Sequence, residues 1–292
     1  MQEHIPLGSK TTMRIGGAAR WYAELNTKKD LEYAYVFAKQ KKIPLIVLGG
    51  GSNTVFADKV IEALVVRIQA NNVMMSPTNH DIATVTVTVQ SGKILASLIN
   101  ELAEQNLDLS PLTGIPGTVG GAIFGNAGQG PVGIWISSYV QSIEVFVDGK
   151  WQTLSREKCV FAYRDSVFKK MNAPIIWSAI LSIPSKPSAE IKPEVERLIQ
   201  KRIETQPHLK TAGSCFKAIG KTPAWKLIDA AGLRAKKIGD IQIAEKHANF
   251  LLNTGKGTFE DTKKIVELIR SKIPEKLEVE MRFINENGEV AF

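Results

Sequence analysis

Two glycine-rich segments limit most strongly what this 292-residue chain can fold into. The first, Gly49-Gly50-Gly51-Ser52-Asn53, comes directly after a short apolar run that predicts a strand over 44–48. The second runs from Gly114 to Gly128, where six of fifteen residues are glycine against an average content of about 7%. Glycine lets the backbone turn sharply and bring N–H groups close to an anion, so each segment is either a structural turn or a ligand-binding loop.

The charge balance bears on that choice. Lys and Arg total 37 against 29 Asp and Glu, which gives a formal net charge of +8. A positive chain favours anionic partners, and two glycine segments in such a chain favour a long ligand that contains a diphosphate. Gly220-Lys221-Thr222 resembles the end of a phosphate-binding P-loop, but Cys215 stands where that motif requires its first glycine. Lys and Arg are otherwise scattered rather than gathered in a basic run with aromatic side chains, so we expect no nucleic-acid partner.

The composition excludes several other classes of protein. Apolar residues make up 44% and charged residues 23%, as in a soluble globular protein with a sizeable core. The sequence has no run of about 18 apolar residues and begins, at Met1–Pro6, without the pattern of a secretory signal. We therefore expect a cytoplasmic protein with no membrane partner, and we take it to be a monomer. The two cysteines, Cys159 and Cys215, are too few for a disulfide scaffold or a cysteine-rich metal site, and we expect no metal.

Helical and strand patterns are mixed along the chain, which predicts an α+β fold rather than a uniform parallel sheet. Thr27-Lys28-Lys29-Asp30 has the spacing of a capping box and opens a predicted helix to about residue 41. Thr84–Val89 alternates strictly, as in a half-buried strand. Asp148-Gly149 predicts a two-residue hairpin turn, and Ile183–Ser188 predicts a linker.

The last third of the chain predicts helices near 224–231 and 258–272 and then a strand that begins at Leu277. On that strand the apolar residues and the charged residues alternate, so the two sets face opposite sides. The apolar set is Leu277, Val279, Met281 and Phe283, and the charged set is Glu278, Glu280 and Arg282.

Three polar groups are candidates for chemistry. Tyr163-Arg164-Asp165-Ser166 places four hydrogen-bonding side chains between apolar stretches, and Gly213–Lys217 carries Ser214 and Lys217 three residues apart. Together with Glu278 or Glu280, such side chains can hold a carboxylate, donate a proton and polarise a developing enolate. The alternative interpretations are a surface ion pair, a serine in a turn and an exposed strand face. Periodicity alone does not choose between the two glutamates.

Eight motifs along nearly the whole chain resemble, in the correct order, one family: UDP-N-acetylenolpyruvoylglucosamine reductase. They are Thr11–Gly17, Leu48–Asn53, Gly114–Gly121, Asn126–Gly128, Tyr163–Ser166, Ala212–Lys217, Lys226–Leu233 and Glu245–Phe250.

The resemblance implies a two-subdomain FAD-binding fold of the PCMH type, like that of vanillyl-alcohol oxidase, followed by an α+β substrate-binding domain. The implied domains are 1–68, 69–200 and 201–292, with the last strand, 277–284, returning to the flavin region. Only 50 positions separate Arg164 from Ser214 (214 − 164), and this favours the shorter subtype of the family.

The resemblance also implies the cofactors, which are a non-covalent FAD and NADPH as the hydride donor. The implied FAD ligands come from the two glycine segments. They are Leu48, Gly49, Gly50, Gly51, Ser52 and Asn53 in the first, and Gly114, Ile115, Pro116, Gly117, Thr118, Gly120, Gly121, Ala122 and Asn126 in the second.

The implied reaction is the reduction of UDP-N-acetylglucosamine enolpyruvate to UDP-N-acetylmuramate, a step of peptidoglycan precursor synthesis. The family's catalytic arginine, serine and glutamate fall on Arg164, Ser214 and Glu280. Flavin N5 delivers a hydride to C3 of the substrate, Arg164 and a protonated Glu280 stabilise the enolate, and Ser214 protonates C2. The Leu-Glu-x-Glu pattern of the family selects Glu280 over Glu278.

The implied substrate-binding residues are Tyr163 and Lys217, for the sugar and the diphosphate. Two stretches depart from the family pattern. The family usually continues Phe-Lys with Asn-Pro, where this chain has Ala218-Ile219, and the stretch Gln129–Trp135 is unusual. The alternative hypotheses are another FAD-dependent oxidoreductase of the same fold, acting on a small alcohol or lactone, and a non-catalytic flavin- or nucleotide-binding protein.

Overall fold

The computed structural model describes residues 1–76, 83–130 and 133–292. Two residues of the unusual stretch Gln129–Trp135, Pro131 and Val132, lie outside the described residues. The chain forms two compact units. The first consists of Met1–Ala23, Val36–Val66 and Ile203–Phe292, and the second of Glu24–Tyr35 and Arg67–Arg202.

The described residues form strands and α-helices in mixed order. The helices are α1 Lys28–Lys41, α2 Leu95–Glu104, α3 Val119–Phe124, α4 Ser188–Thr205, α5 Ala224–Ala230 and α6 Phe259–Lys272. The strands are β1 Gln2–Pro6, β2 Ala18–Leu25, β3 Leu45–Val47, β4 Thr54–Phe56, β5 Ile61–Ile68, β6 Val73–Met75, β7 Thr84–Gln90, β8 Val140–Val147, β9 Lys150–Ser155, β10 Ile175–Pro184, β11 Thr211–Ser214, β12 Lys237–Ile238, β13 Ile241–Ile243, β14 Phe250–Asn253 and β15 Arg282–Ile284.

The first unit is built on short sheets around one core. One sheet has the order β1-β2-β5-β3, with β1 and β2 antiparallel and β3 and β5 parallel. Another has the order β11-β14-β13-β12 and is antiparallel. Strand β15 pairs in parallel with β4, which sets Phe283 opposite Val55. Phe56, Phe216 and Phe283 are fully buried in this core, so the early and late parts of the chain share one apolar interior.

The second unit is built on one antiparallel sheet in the order β6-β7-β10-β8-β9. The alternation of β7 buries its three valines, and the apolar stripe of α2 belongs to the same core cluster. That stripe includes Leu95, Leu98, Ile99 and Leu102, which have the spacing of one helix face. The alternation of β7 therefore buries the face that the sequence predicts, and α2 contributes one apolar face to the same core.

Local predictions are confirmed where the side-chain pattern is strong. The Asp30 N–H donates to Thr27 Oγ at 3.1 Å and the Thr27 N–H donates to Asp30 Oδ2 at 2.9 Å, so the capping box is formed and α1 begins at Lys28. The predicted strand over 84–89 is β7. Asp148 and Gly149 join β8 to β9 with φ of 50° and 79°, the left-handed values that a two-residue hairpin of this type requires.

Two local predictions are wrong. Ile183–Ser188 is not a linker, because Pro184 ends β10 and Ser188 begins α4, both in the second unit. The predicted strand over 277–284 is regular only at β15, and Val279 forms an isolated bridge with Phe216. The predicted alternation along this segment is nevertheless confirmed by burial, since Leu277 is buried and Glu278 is exposed.

The units separate after Val66 and after Arg202, close to the implied domain boundaries after residues 68 and 200. Most of the implied first domain and nearly all of the implied last domain fall in the first unit. The second unit consists mostly of the implied second domain, together with Glu24–Tyr35 of the implied first domain. The division of the chain into three domains stays a prediction.

We expect Thr258→Ala to lower the free energy of unfolding by about 1 kcal/mol, because Thr258 is the N-cap of α6. Its hydroxyl accepts a hydrogen bond from the Asp261 N–H at 3.0 Å, and Asp261 Oδ2 accepts from the Thr258 N–H at 3.2 Å. The measurement is urea unfolding followed by circular dichroism. Thr258→Ser is the matched control, since it keeps the cap, and equal loss in both variants would contradict the capping role.

Candidate active site

Ser214 lies at the end of a bulged strand in the first unit. Thr211 of β11 is opposite Leu252 of β14, and Ser214 is opposite Phe250. An advance of three residues along β11 therefore corresponds to two residues along β14, which is a β-bulge. Gly213 takes up the extra residue with a φ of +80°. Because bulges re-aim the side chains that follow them, this geometry is typical of strands beside active sites.

The segment that carries Glu280 pairs with the residues that follow Ser214. The Glu280 N–H donates to the Cys215 carbonyl at 2.8 Å, and the Lys217 N–H donates to the Glu278 carbonyl at 2.9 Å. Cys215 is fully buried, and this burial, with the charge of Glu280, raises the pKa of the Cys215 thiol well above its usual value. The thiol is therefore inert, and the adjacent hydroxyl of Ser214 is the polar group that this strand presents.

The structure separates the two glutamates that periodicity leaves equivalent. The Glu278 side chain is 69% exposed and its Oε1 lies 2.5 Å from Lys217 Nζ, whose own side chain is 15% exposed. Glu280 is half-buried, and its carbonyl accepts a hydrogen bond from Asn53 Nδ2 at 3.0 Å. Glu278 is thus the surface partner of Lys217, and Glu280 lies against the first glycine segment.

That first glycine segment passes close to other main chain. Gly51 has a φ of +66°, and a Cβ there would lie 2.2 Å from the Lys10 carbonyl oxygen. Thr12 Oγ donates to the Thr211 carbonyl at 2.6 Å, and the Thr12 N–H donates to the Gly51 carbonyl at 3.0 Å. Within the described residues, the N–H groups of the three glycines have no hydrogen-bond partner. They can therefore receive an anionic ligand.

Arg282 is a residue of this site that sequence reasoning missed. Its Nη1 donates to the Val47 carbonyl at 3.1 Å, two residues before the glycine segment. Burial lowers the pKa of Arg282 to about 10, and no carboxylate in the described part of the chain pairs with it. The only sequence signal is its place on the charged side of the last alternating segment. A half-buried guanidinium hydrogen-bonded to the strand that leads into the first glycine segment strengthens the case for an anion here.

In the second unit, the second glycine segment packs against buried hydroxyls. A Cβ at Gly120 would lie 2.7 Å from Ser91 Cβ. Thr118 Oγ accepts a hydrogen bond from the Gly121 N–H at 3.3 Å and caps α3. The hydroxyls of Ser91 and Thr113 are buried and have no partner among the described residues. Buried hydroxyls normally have partners, so these two fit the polar atoms of a bound group.

Arg164 lies in a tight turn of the second unit. Ala162 and Asp165 exchange two main-chain hydrogen bonds, each of 3.1 Å. Arg164 has a φ of +53°, a left-handed conformation that costs energy in any residue but glycine. Its guanidinium carbon lies 5.7 Å from the centre of the Tyr163 ring. Such strain is typical of functional sites, where the surrounding structure holds a side chain in place.

A second arginine of this unit, Arg202 in α4, adds to the charge near Arg164. Its Cδ lies 2.4 Å from where a Cβ at Gly114 would be, so the glycine makes room for it. Burial and then the charge of Arg164 lower the pKa of Arg202. No carboxylate in the described ranges pairs with Arg202. Sequence reasoning missed it, because α4 has the charged pattern of a solvated helix.

The predicted site residues divide between the units. Those of the first unit are Leu48–Asn53, Ser214, Lys217 and Glu280, and those of the second are Gly114–Asn126, Tyr163 and Arg164. Lys217 is engaged by Glu278 rather than free. After it, Ile219 and Thr222 close a tight turn at the position where the sequence departs from the family. Asn126 is buried and hydrogen-bonded within the protein.

Two further classes of feature are absent from the residues that the structure describes. No helix among them is long and apolar enough to span a bilayer. Their His, Cys, Asp and Glu side chains form no group of three or more that is placed to hold a metal ion.

The chain matches known proteins along most of its length. Residues 19–155 match the FAD binding domain, and residues 206–283 match the C-terminal domain of UDP-N-acetylenolpyruvoylglucosamine reductase. The UDP-N-acetylenolpyruvoylglucosamine reductase of Thermotoga sp. (strain RQ2) is 36% identical over 94% of this chain and 89% of its own length. The reductase of Aquifex aeolicus (strain VF5) is 34% identical over 98% of this chain and 96% of its own.

A solved structure agrees with these sequence matches. The crystal structure of UDP-N-acetylenolpyruvylglucosamine reductase from Thermus caldophilus matches with a TM-score of 0.81 at 30% identity, covering 96% of this chain and 98% of that one. The predicted fold, α+β with an FAD-binding part before a C-terminal domain, is confirmed. With relatives above 30% identity over nearly the whole chain, the protein belongs to the UDP-N-acetylenolpyruvoylglucosamine reductase family and is an FAD-dependent oxidoreductase.

Proposed function

We propose that this enzyme reduces UDP-N-acetylglucosamine enolpyruvate to UDP-N-acetylmuramate, with NADPH as hydride donor, as a cytoplasmic monomer. The observation that carries the proposal is the interaction of the Arg164 and Arg202 charges in the second unit, with no carboxylate partner for Arg202 in the described residues. An arginine such as Arg202, which is removed from water beside a like charge, is stabilised by an anionic ligand. The substrate offers a carboxylate and a diphosphate.

FAD, when bound, supplies the hydride-transfer chemistry between NADPH and C3 of the enol ether. Its proposed ligands are Leu48–Asn53 in the first unit and Gly114–Ala122 without Val119 in the second. The partnerless N–H groups of the first segment suit the diphosphate, and Arg282 adds positive charge near it. In the second unit, the buried hydroxyls of Ser91 and Thr113 suit polar atoms of the cofactor.

Arg164 is proposed to bind the substrate carboxylate. A guanidinium matches a carboxylate with two parallel hydrogen bonds, which fixes its orientation as well as its charge. As hydride reaches C3, negative charge develops as an enolate on that carboxylate. Arg164 and a protonated Glu280 are proposed to donate to this charge, since fixed donors aimed at developing charge act strongly away from water. The main-chain bonds of Glu280 to Cys215 and Asn53 support a fixed position for its carboxyl.

Ser214 is proposed to give its proton to C2 of the enolate. A serine hydroxyl is a weak acid, but an enolate is a strong base, so the transfer is favourable once charge has developed. The Ser214 hydroxyl makes no hydrogen bond to any described residue and is half-buried, which leaves it available to a substrate. Water then replaces the proton on the serine.

Lys217 and Tyr163 are proposed to bind the diphosphate and the sugar of the substrate. Lys217 already pairs with Glu278. A bound diphosphate would therefore either share Lys217 with that exposed carboxylate or displace the carboxylate from it. The Tyr163 ring lies beside the Arg164 guanidinium, close enough to serve the same ligand.

The experiment that tests this function is an anaerobic single turnover on the FAD-loaded protein. The flavin absorbance near ~450 nm is followed while NADPH and then UDP-N-acetylglucosamine enolpyruvate are added. We expect bleaching by NADPH and recovery on the enolpyruvyl substrate, with UDP-N-acetylmuramate as product. Bleaching without recovery would overturn the proposed substrate and favour a different oxidant, such as a small carbonyl compound.

We expect Ser214→Ala to leave bleaching by NADPH unchanged and to slow recovery on the order of 10²-fold or more, because it removes the proton donor. Stopped-flow absorbance separates the two half-reactions. Ser214→Cys is the matched control, since a thiol of similar size still carries a proton and should restore part of the rate. Normal recovery in Ser214→Ala would remove Ser214 from the proton-donor role.

We expect Gly51→Ala to weaken FAD binding about tenfold or more, a loss of roughly 1.4 kcal/mol, because the new Cβ would lie 2.2 Å from the Lys10 carbonyl oxygen. Gly220→Ala is the control: its φ of +56° is also left-handed, but nothing lies within 4 Å of the added Cβ. The two variants therefore share the backbone strain and differ in the steric clash. FAD affinity is measured by titrating apoprotein, and equal affinity in both variants would contradict the role of the close approach.

A further inference from the structure

We propose that Asn126 is a positioning residue for Arg164 rather than an FAD ligand; the inference rests on the proposed function, in which Arg164 binds the substrate carboxylate. The family resemblance implies an FAD-binding role for Asn126. Its side chain, however, is directed to two main-chain groups of the second unit, and one of them belongs to the turn that carries Arg164.

The first step is how the Asn126 amide is used. Its Nδ2 donates to the Ala162 carbonyl at 2.7 Å, and its Oδ1 accepts from the Ser137 N–H at 3.3 Å. The residue is 2% exposed. Both ends of the amide therefore have protein partners, and almost no surface remains for a ligand to contact.

The second step is a parallel contact from the same part of the chain. Ser166 Oγ donates to the Phe124 carbonyl at 2.7 Å, and Ser166 is 1% exposed. Phe124 ends α3, and Asn126 is two residues further on. Thus two part-buried hydrogen bonds link the end of α3 to Ala162, the first residue of the turn, and to Ser166, which follows the turn.

The third step is that the turn needs such support. Arg164 has a left-handed φ of +53°, which is unfavourable in a residue with a Cβ. The two hydrogen bonds between Ala162 and Asp165 close the turn but do not attach it to the rest of the unit. Asn126 and Ser166 attach it to the end of α3, and Lys169 Nζ adds a hydrogen bond of 2.6 Å to the Arg164 carbonyl. Asn126 itself has a φ of +43°, a conformation that asparagine tolerates better than most residues.

The consequence concerns where the Arg164 guanidinium lies. A shift of the Ala162 carbonyl moves the whole turn, and a misplacement of about 1 Å at a reacting group can slow a reaction on the order of 10²-fold. We expect FAD affinity to stay unchanged in a variant of Asn126. The Asn126 side chain hydrogen-bonds to Ala162 and Ser137, and neither residue is a proposed FAD ligand. Positioning and cofactor binding thus predict different results for the same substitution.

The test is Asn126→Asp, which keeps the size of the side chain and an oxygen for the Ser137 N–H but loses the donor to Ala162. We expect an FAD dissociation constant within about twofold of wild type and recovery on the enolpyruvyl substrate slowed about tenfold or more. Asn106→Asp is the matched control: Asn106 is also left-handed, with a φ of 59°, and its Oδ1 accepts from the Ser188 N–H at 2.8 Å. It should leave both quantities unchanged.

A double-mutant cycle with Arg164→Lys separates positioning from a general structural effect. If Asn126 acts through Arg164, the double variant recovers no more than about twofold slower than Arg164→Lys alone. Ser166→Ala removes the second attachment without touching Asn126 and should also slow recovery with FAD affinity retained, which keeps the test open if Asn126→Asp fails to fold. The inference would be overturned if the double variant recovers more slowly by the product of the two single effects. It would also be overturned if Asn126→Asp loses FAD affinity. Failure of the wild-type protein to recover would instead overturn the proposed function, and the FAD titration would still decide whether Asn126 is a cofactor ligand.

Discussion

The main-chain pairing of Cys215 with Glu280 is the contact on which the candidate site of the first unit depends. It joins segments 65 positions apart (280 − 215) and fixes the strand of Ser214 against the segment of Glu280. Asn53 extends the same constraint to the first glycine segment, because its side-chain amide donates to the Glu280 carbonyl. Since buried main-chain groups must keep their partners, a shift in any of these three segments disturbs the other two. The proposed proton donor, Ser214, and the proposed acid, Glu280, therefore lie on segments that hold each other in place, as preorganised groups require.

Positive charge without a protein counter-ion is the second constraint, and it occurs in both units. Arg282 in the first unit and Arg202 in the second are largely removed from water, and neither has a carboxylate partner among the described residues. Burying a lone charge is costly, and an anionic ligand offsets that cost when it binds. In the proposed function, part of the net charge of +8 therefore serves to bind anions.

The sequence predicts the structure well where an element is stabilised by residues that lie close together in the sequence. The capping box at Thr27 and the alternation of β7 are of this kind, since each depends on neighbours within a few residues. The length of the last strand is different, because β15 is limited by its partner β4, which is three residues long. The choice between Glu278 and Glu280 needed either a family resemblance or the structure. Glu278 is exposed and pairs with Lys217, whereas Glu280 is half-buried, and no periodicity contains that information.

The glycine segments show why the rest of the site could not be predicted. From the sequence, a structural turn and a ligand-binding loop are competing interpretations of each segment. In the structure, Gly51 lies against the Lys10 main chain, Gly114 against the Arg202 side chain and Gly120 against Ser91. Each glycine is thus required by packing, and each close approach also leaves a ligand-competent group nearby: free N–H groups, a guanidinium or a buried hydroxyl. A tight turn and a ligand-binding loop are therefore compatible in each segment. Arg202 could not be predicted from its own helix, because the feature that makes room for it is the missing Cβ of Gly114, 88 positions earlier (202 − 114).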